Sequence, residues 1–426
     1  MPLALALASG VALLILSAPI AIALMATTIV FLLLDPQVPM TVVGQKIFAA
    51  MDSFPLMAVP FFILVGQVMN SGGITDRIFV FASNLVGHVR GGLGHVNILS
   101  SVLMSGMSGS AVADAAGLGQ VEIKAMVKQG YDREFSAAVT AASATIGPII
   151  PPSIPLVIYG SIAGVSVSQL LLAGLIPGLL VAVGLIVVTY ILSKRRNYPV
   201  SRRASLAEIR TSFVTAFPAL MTPVVLVAGI LSGIFTPTEA SAVAALYSIA
   251  IAMLVYREVG VAELGRILVE TAQITGTIFF IIGAAAVLSW IFTWLNIPQQ
   301  LAGFISGSIE QQWILLILIN LFLLLLGCIL EVNAALILAT PLLMPMIQTA
   351  GIHPVHFGII LVVNLMIGLI TPPVGLNMYI VSAIARISIP QFLRGIAPFA
   401  AVLLVVLALL TFWPALSLWL PQLVFE

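Results

Sequence analysis

The sequence predicts an all-α polytopic membrane protein built as an inverted repeat, with two re-entrant hairpins and two broken helices. Of 426 residues, 61% are hydrophobic and only 7% charged, more apolar surface than a water-soluble fold can cover. The apolar runs are long and continuous, whereas barrel strands would alternate over about 10 residues. The third observation is internal: TIGPIIPPSIPL at 145–156 returns as MIGLITPPVGLN at 366–377, which sets Gly147, Pro151 and Pro152 against Gly368, Pro372 and Pro373, 221 residues apart (368 minus 147).

The same offset pairs Gly130 with Gly351, Ile149 with Ile370, Ser161 with Ser382, Gly174 with Gly395 and Pro177 with Pro398. A fixed period in a fixed order is the mark of a duplicated unit, so the halves are 1–200 and 201–426. In the first, scaffold helices are expected at 5–34 (kinked at Pro19) and 54–70, a re-entrant hairpin at 93–124, a broken helix at 135–164 and a helix at 168–193. In the second, scaffold helices are expected at 212–256 and 270–292, a hairpin at 313–348, a broken helix at 355–385 and a helix at 390–420. Pro2 to Leu34 holds no Lys or Arg, so it lacks the basic head of a signal peptide and reads as a retained span.

Orientation follows from charge. The segment SKRRNYPVSRRASLAEIR at 193–210 carries six of the sixteen Lys and Arg, which places it in the cytoplasm. Two apolar segments separate it from the basic loop KAMVKQGYDRE at 124–134, which returns to the same side. The equivalent loop of the second half, QTAGIHPVH at 348–356, has no Lys or Arg, as an inverted repeat requires. Trp290, Trp294 and Trp313 flank the stretch 296–312 as interfacial belt residues. Leu93 to Met107 is about 22 Å of helix, short of the roughly 30 Å hydrocarbon core. It meets a polar tip, SGMSGS, then a second short arm from Ala111 to Lys124. Trp313 to Ile329, the tip LEVNAA and Ala334 to Gln348 repeat this form.

Breaks at Gly147–Pro152 and Gly368–Pro373 free carbonyls at one half-helix end and amides at the next, because proline donates no hydrogen bond and bars its predecessor from helix. Paired breaks in two halves point to a transporter site at the midplane. Hydroxyls and carbonyls are hard ligands for a cation: Ser108 and Ser110 at one tip beside the carbonyls of Gly147 and Ile150, with Glu331, Asn333, Thr371 and Asn377 in the second half. Asp114 and Glu331 are acids within apolar segments, which defaults to a functional reading; Glu239 in TPTEASA reads instead as the cap of a helix starting near Pro237. Thr145, Ser153, Asn333 and Asn377 are candidates for substrate binding.

Other classes are poorly supplied. A single cysteine, Cys328, allows no internal disulfide, and His88, His95, His353 and His356 show no metal-site spacing. A net charge of +1 gives no reason to expect nucleic acid. GMSG at 106–109 mimics an intramembrane serine protease, with Ser108 as nucleophile, but His95 lies nearly 20 Å of helix away. No catalytic residue and no enzyme activity is expected. A channel would need a repeated polar stripe, and no span has one.

PFFILVGQVMNSGGITDRI, GGLGHVNILSSVLMSGMSGSAVADAAGLGQVEIKAM, IGPIIPPSIPLVIYG, GIFTPTEASAVAALY and LITPPVGLNMY together resemble, over essentially the whole chain, the large membrane (M) subunit of tripartite ATP-independent periplasmic (TRAP) transporters, the DctM-like large permeases. The resemblance implies sodium-driven uptake of an organic acid (a C4-dicarboxylate, sialic acid or similar carboxylate) across the bacterial inner membrane by an elevator motion. It implies a periplasmic substrate-binding (P) protein and a small membrane (Q) subunit as partners, sodium as the co-transported ion and no organic cofactor. Carried over, one cation site falls on Ser108, Ser110, Gly147, Ile150 and Pro152. The other falls on the stretch containing Gly327, Thr371 and Gly375, with Asp114 and Glu331 nearby. A separate small subunit is expected, since this chain opens on the large subunit's first helix. The runner-up is a proton-coupled or stand-alone elevator carrier.

Overall fold

The computed structural model describes residues 2–16, 18–35, 40–297, 299, 300, 303 and 311–425; most of these are helical, with no strand among the described residues. Helices are numbered in chain order. The first half holds α1 (Pro2–Ile15), α2 (Ile20–Leu34), α3 (Thr41–Met51), α4 (Ala58–Ser71), α5 (Ile74–Val86), α6 (Gly92–Ser108), α7 (Ala111–Ala116), α8 (Leu118–Lys128), α9 (Arg133–Ala144), α10 (Ile154–Ala163) and α11 (Val167–Arg195). The second holds α12 (Leu206–Leu231), α13 (Pro237–Ala250), α14 (Val261–Trp294), α15 (Gln312–Ile329), α16 (Val332–Thr349), α17 (Pro354–Gly368), α18 (Leu376–Ala385), α19 (Ile389–Phe412) and α20 (Ala415–Phe425). Among the described residues, eight helices are long and apolar enough to cross a membrane.

In a chain this uniformly apolar, hydrophobic periodicity cannot set helix ends, and polar caps and prolines do. Ser205 and Glu208 form a capping box at α12, and Thr236 and Glu239 one at α13, with Pro237 in its first turn. The side chains of Ser110, Ser153, Ser166 and Glu331 accept a backbone N–H at the starts of α7, α10, α11 and α16. Each cap satisfies an amide that the bilayer cannot.

Three expected spans are divided. The helix expected at 5–34 is two antiparallel helices packed together, not one kinked rod: Pro19 is the N-cap of α2, and a Cβ on Gly10 would lie 2.0 Å from Thr27 Oγ1, so only glycine lets α1 and α2 approach this closely. The segment 212–256 is α12 and α13, parted at Gly233 (φ +68°). The helix expected at 390–420 ends at Phe412, and α20 starts beyond Pro414. Part of the stretch 296–312 lies outside the described residues.

Helices α6, α7, α9, α10 and α11 start 220 to 222 residues before α15, α16, α17, α18 and α19. The packing is reciprocal. α10 of the first half lies on α16 of the second, and α18 on α7 and α8; α9 lies on α19 and α17 on α11. Helices α9 and α17 form the centre of the molecule: all of α17 except Pro354 is buried. At the periphery α12, α13 and α14 present Val214, Phe217, Leu246, Leu268 and Phe280 outward, as lipid-facing helices do.

Candidate functional site

Helix α9 stops at Ala144 and α10 begins at Ile154; α17 stops at Gly368 and α18 begins at Leu376. The peptide bonds Pro151–Pro152 and Pro372–Pro373 are both cis. Each break receives a hairpin tip of its own half. Gly109, at φ +58°, ends α6, and a Cβ there would sit 2.7 Å from the Pro152 carbonyl oxygen, so both the turn and the contact demand glycine. In the second half a Cβ on Gly368 would lie 2.4 Å from the Gly327 carbonyl carbon, and the Val374 N–H donates to Cys328 O at 3.0 Å. Tip and break therefore meet backbone to backbone.

Between the two tips, α4 and α14 lies a cavity of about 130 Å³. Its polar lining is Gln67, Asn70, Ser108, Ser110, Glu331 and Asn333, and among the described residues no Lys, Arg or His belongs to it. Both tips border the same space, although 220 residues separate them in sequence.

The expected site residues divide into groups. Ser108, Ser110, Glu331 and Asn333 line the cavity. Ser110 also caps α7, accepting from Ala113 N at 3.4 Å; Glu331 caps α16, accepting from Ala334 N at 3.1 Å and from Asn333 Nδ2 at 2.9 Å. Gly147, Ile150 and Pro152 form the first break. There Ile150 packs on α11, where a Cβ on Gly178 would fall 2.3 Å from Ile150 Cγ1. Gly327, Thr371 and Gly375 gather at the second break. The Thr371 hydroxyl bonds back to Ile367 O at 3.0 Å and sits 3.0 Å from Cys328 Sγ, while a Cβ on Gly375 would meet Thr371 O at 2.5 Å.

Thr145, Ser153 and Asn377 do not line the cavity. Thr145 donates to Ala142 O at 2.6 Å. Ser153 is a buried cap that accepts from Leu156 N at 3.2 Å and donates to Pro148 O. Asn377 is fully buried on α18 with neither side-chain atom hydrogen-bonded. Asp114 is 2% exposed, and both its oxygens are buried without a partner. Such a group is costly to bury as an anion unless a cation or donor joins it.

Sequence reasoning missed the polar groups behind this site. Glu122 on α8 is 1% exposed, with Oε1 unpartnered, and it lies in reach of Asn97 and Asp114. Asn97 donates to Thr140 Oγ1 at 2.7 Å and accepts from Ser143 Oγ at 2.6 Å. Gln67 and Asn70 on α4 complete the cavity wall. Their signal was polarity inside otherwise apolar runs. His95 bonds to Arg90 O at 3.1 Å at the far end of α6 from Ser108, so GMSG has no histidine base there. Glu239 is engaged by the Thr236 N–H and hydroxyl, both at 2.8 Å, in the expected capping role.

Outside the spans, the loop joining the halves is fastened to the α8–α9 turn. Asp132 accepts from the Tyr198 hydroxyl at 2.6 Å and from Arg196 Nη1 at 2.7 Å. The Tyr198 hydrogen bond first, and Arg196 after it, hold the Asp132 carboxyl below its ordinary range against the opposing effect of burial.

Comparison with known proteins locates this architecture. Residues 7–416 match the family described as "Tripartite ATP-independent periplasmic transporter, DctM component". The chain is 44% identical over 405 residues, 95% of each chain, to the sialic acid TRAP transporter large permease protein SiaM of Vibrio cholerae. It is 39% identical to the C4-dicarboxylate TRAP transporter large permease protein DctM of Pseudomonas aeruginosa, covering 88% of both. Its fold is similar to that in the crystal structure of the Alcanivorax borkumensis YdaH transporter, with a TM-score of 0.66 at 17% identity and 89% coverage of each chain.

Proposed function

The chain belongs to the family of DctM components of tripartite ATP-independent periplasmic transporters, and we propose that it is the permease through which a small carboxylate, delivered by a periplasmic binding protein, enters the cell with sodium. The carrying observation is the convergence of two hairpin tips and two helix breaks on one cavity. Sialic acid and C4-dicarboxylates, named for its relatives, are the substrate classes to test first. An organic acid in this cavity would be held by neutral donors such as Gln67, Asn70 and Asn333, since no cationic side chain among the described residues lines it. A co-bound cation would supply the missing positive charge.

Sodium would be held on one side by the Ser108 hydroxyl and the carbonyls around Gly147 and Ile150, and on the other by Thr371 and the carbonyls around Gly327 and Gly375. Oxygens of this kind suit a hard cation, and the half-helix C-termini add a negative field. The unpartnered Asp114 carboxyl beside the first break supports the same reading, because a nearby cation offsets its burial. Transport would proceed by an elevator motion in the inner membrane: the unit carrying hairpins and broken helices moves against a scaffold that includes α4 and α14, together with a small membrane subunit. The chain does no bond-making chemistry in this role.

The test is sodium dependence in the complete three-part system reconstituted in liposomes. Losing one ligand of a buried site costs about 1–3 kcal/mol, so Ser108→Ala or Thr371→Ala is expected to raise the half-maximal sodium concentration roughly five- to a hundredfold. Uptake driven by a pH gradient at zero sodium would overturn the reading and favour a proton-coupled carrier.

A further inference from the structure

Both halves carry a side-chain link between the first arm of the hairpin and the broken helix near its end, fully buried in the first half and half-buried in the second. In the first half Asn97 of α6 accepts from Ser143 Oγ at 2.6 Å and donates to Thr140 Oγ1 at 2.7 Å; the Thr140 hydroxyl in turn donates to Ser136 O at 2.8 Å. In the second, Asn364 Nδ2 donates to Asn320 Oδ1 of α15 at 2.7 Å, and Asn320 donates to Thr411 Oγ1 at 2.8 Å. Ser143 stands four residues before Gly147 and Asn364 four before Gly368. The broken-helix members are 221 residues apart (364 minus 143), whereas the hairpin members are 223 apart (320 minus 97) and the residue types differ. The place of the link recurs although its chemistry was assembled differently.

We infer that Asn97–Ser143 and Asn320–Asn364 are positioning pairs that set the register between each hairpin arm and its broken helix, and so hold the tip oxygens at the distance from the break that binds the cation. The inference rests on the sodium-site reading above. Its physical basis is lever geometry. Along α6, Asn97 is eleven residues, about 16 Å of helix, from Ser108, and the tip contact at Gly109 and Pro152 is the second point of attachment. Apolar packing of α6 on α9 is non-directional, so the polar link adds the directional attachment that fixes slide and roll. An interhelical hydrogen bond in a membrane protein contributes little to overall stability, so its loss should leave the fold intact while loosening a site that tolerates little displacement.

The experiment uses the complete transporter in liposomes, with Asn97→Ala, Ser143→Ala, the double variant and Ser143→Thr, read as half-maximal sodium concentration beside thermal stability of the solubilised complex. Ser108→Ala is the reference. The expected result is a three- to tenfold rise for each single alanine variant, no further rise in the double variant, and recovery with Ser143→Thr, which keeps the hydroxyl. Ser143→Ala removes one oxygen only, so it tests the idea even where Asn97→Ala fails to fold. Unchanged sodium dependence in Asn97→Ala and Ser143→Ala, with Ser108→Ala shifted, overturns the positioning role alone. Unchanged dependence in all three overturns the sodium-site reading and this inference with it.

Discussion

The Asp114 carboxyl packs against Gly147: a Cβ on that glycine would lie 2.6 Å from Asp114 Oδ2. One half-helix of the first hairpin thus presents a buried, unpartnered carboxyl to the first break. The obstructing atom is the end of a side chain that can rotate. Gly147→Ala is therefore expected to keep a folded transporter whose sodium affinity falls about tenfold, as Asp114 turns aside. An unaltered sodium titration for Gly147→Ala would show that the carboxyl plays no part in the site.

Gly368→Ala should be harsher. Its Cβ would meet backbone, 2.4 Å from the Gly327 carbonyl carbon, and backbone cannot rotate away. Overpacking of this kind costs about 1–3 kcal/mol, and here the strain falls on the contact between tip and break. The expected outcome is uptake below about a tenth of wild type with normal amounts of protein in the membrane. Wild-type uptake by Gly368→Ala would mean that the second hairpin does not need to seat on its break.

Cys328 offers a chemical probe of the same contact, since its carbonyl accepts from Val374 N and its sulfur sits 3.0 Å from Thr371 Oγ1. Cys328→Ser, which keeps a small polar atom there, should transport nearly as wild type. Alkylation of the native thiol with a maleimide should block uptake, and sodium should slow the reaction by closing the tip on the break. Equal labelling rates with and without sodium would speak against that closure.

Topology can be checked in a Cys328→Ser background with single cysteines at exposed positions. Replacements at Arg90 and Lys124 bracket the first hairpin, and replacements at Gln312 and Thr349 bracket the second; all four are exposed. The expected labelling is from the cytoplasmic face for the first pair and from the opposite face for the second. If either pair splits across the membrane, that hairpin is a span instead.

The joint between the halves carries a pH signature. Because the folded state holds the Asp132 carboxyl below its ordinary range, its contribution is present above the unfolded value of about 3.9 and is lost as pH falls through the folded one. Asp132→Asn should lower the melting temperature of the solubilised complex slightly at pH 7, with the gap closing below about pH 4. A gap that stays constant down to pH 3 would place the effect elsewhere.

The paired breaks were legible because glycine and proline act locally: Gly147, Pro151 and Pro152 restrict the backbone whatever surrounds them, and the same residues recur at Gly368, Pro372 and Pro373. Polar tips between short arms were legible for a similar reason. Pro19 was misread as a kink because α1 and α2 are both apolar; what separates them is the fit of Gly10 on Thr27, a tertiary contact. Glu122 escaped notice beside Gln120 and Lys124, where a charge looks solvated, and only packing shows it to be buried. Thr145 and Ser153 illustrate the converse: a hydroxyl near a break is as often spent on its own helix. Asn97 and Asn364 showed in the sequence only as polar residues within apolar runs, and their roles stayed hidden because their partners lie 46 and 44 residues away.

The exchange of surfaces between halves, with α10 resting on α16 and α18 on α7 and α8, constrains how the chain can be made. At a synthesis rate of about 5–20 residues per second, the roughly 170 residues between the end of α10 and the start of α16 take on the order of 10–30 seconds. For that interval the first break must wait in or beside the translocation machinery without the surface that will cover it. A half expressed alone would meet the same exposure permanently, and so is expected to be degraded unless the other half is supplied in the same cell.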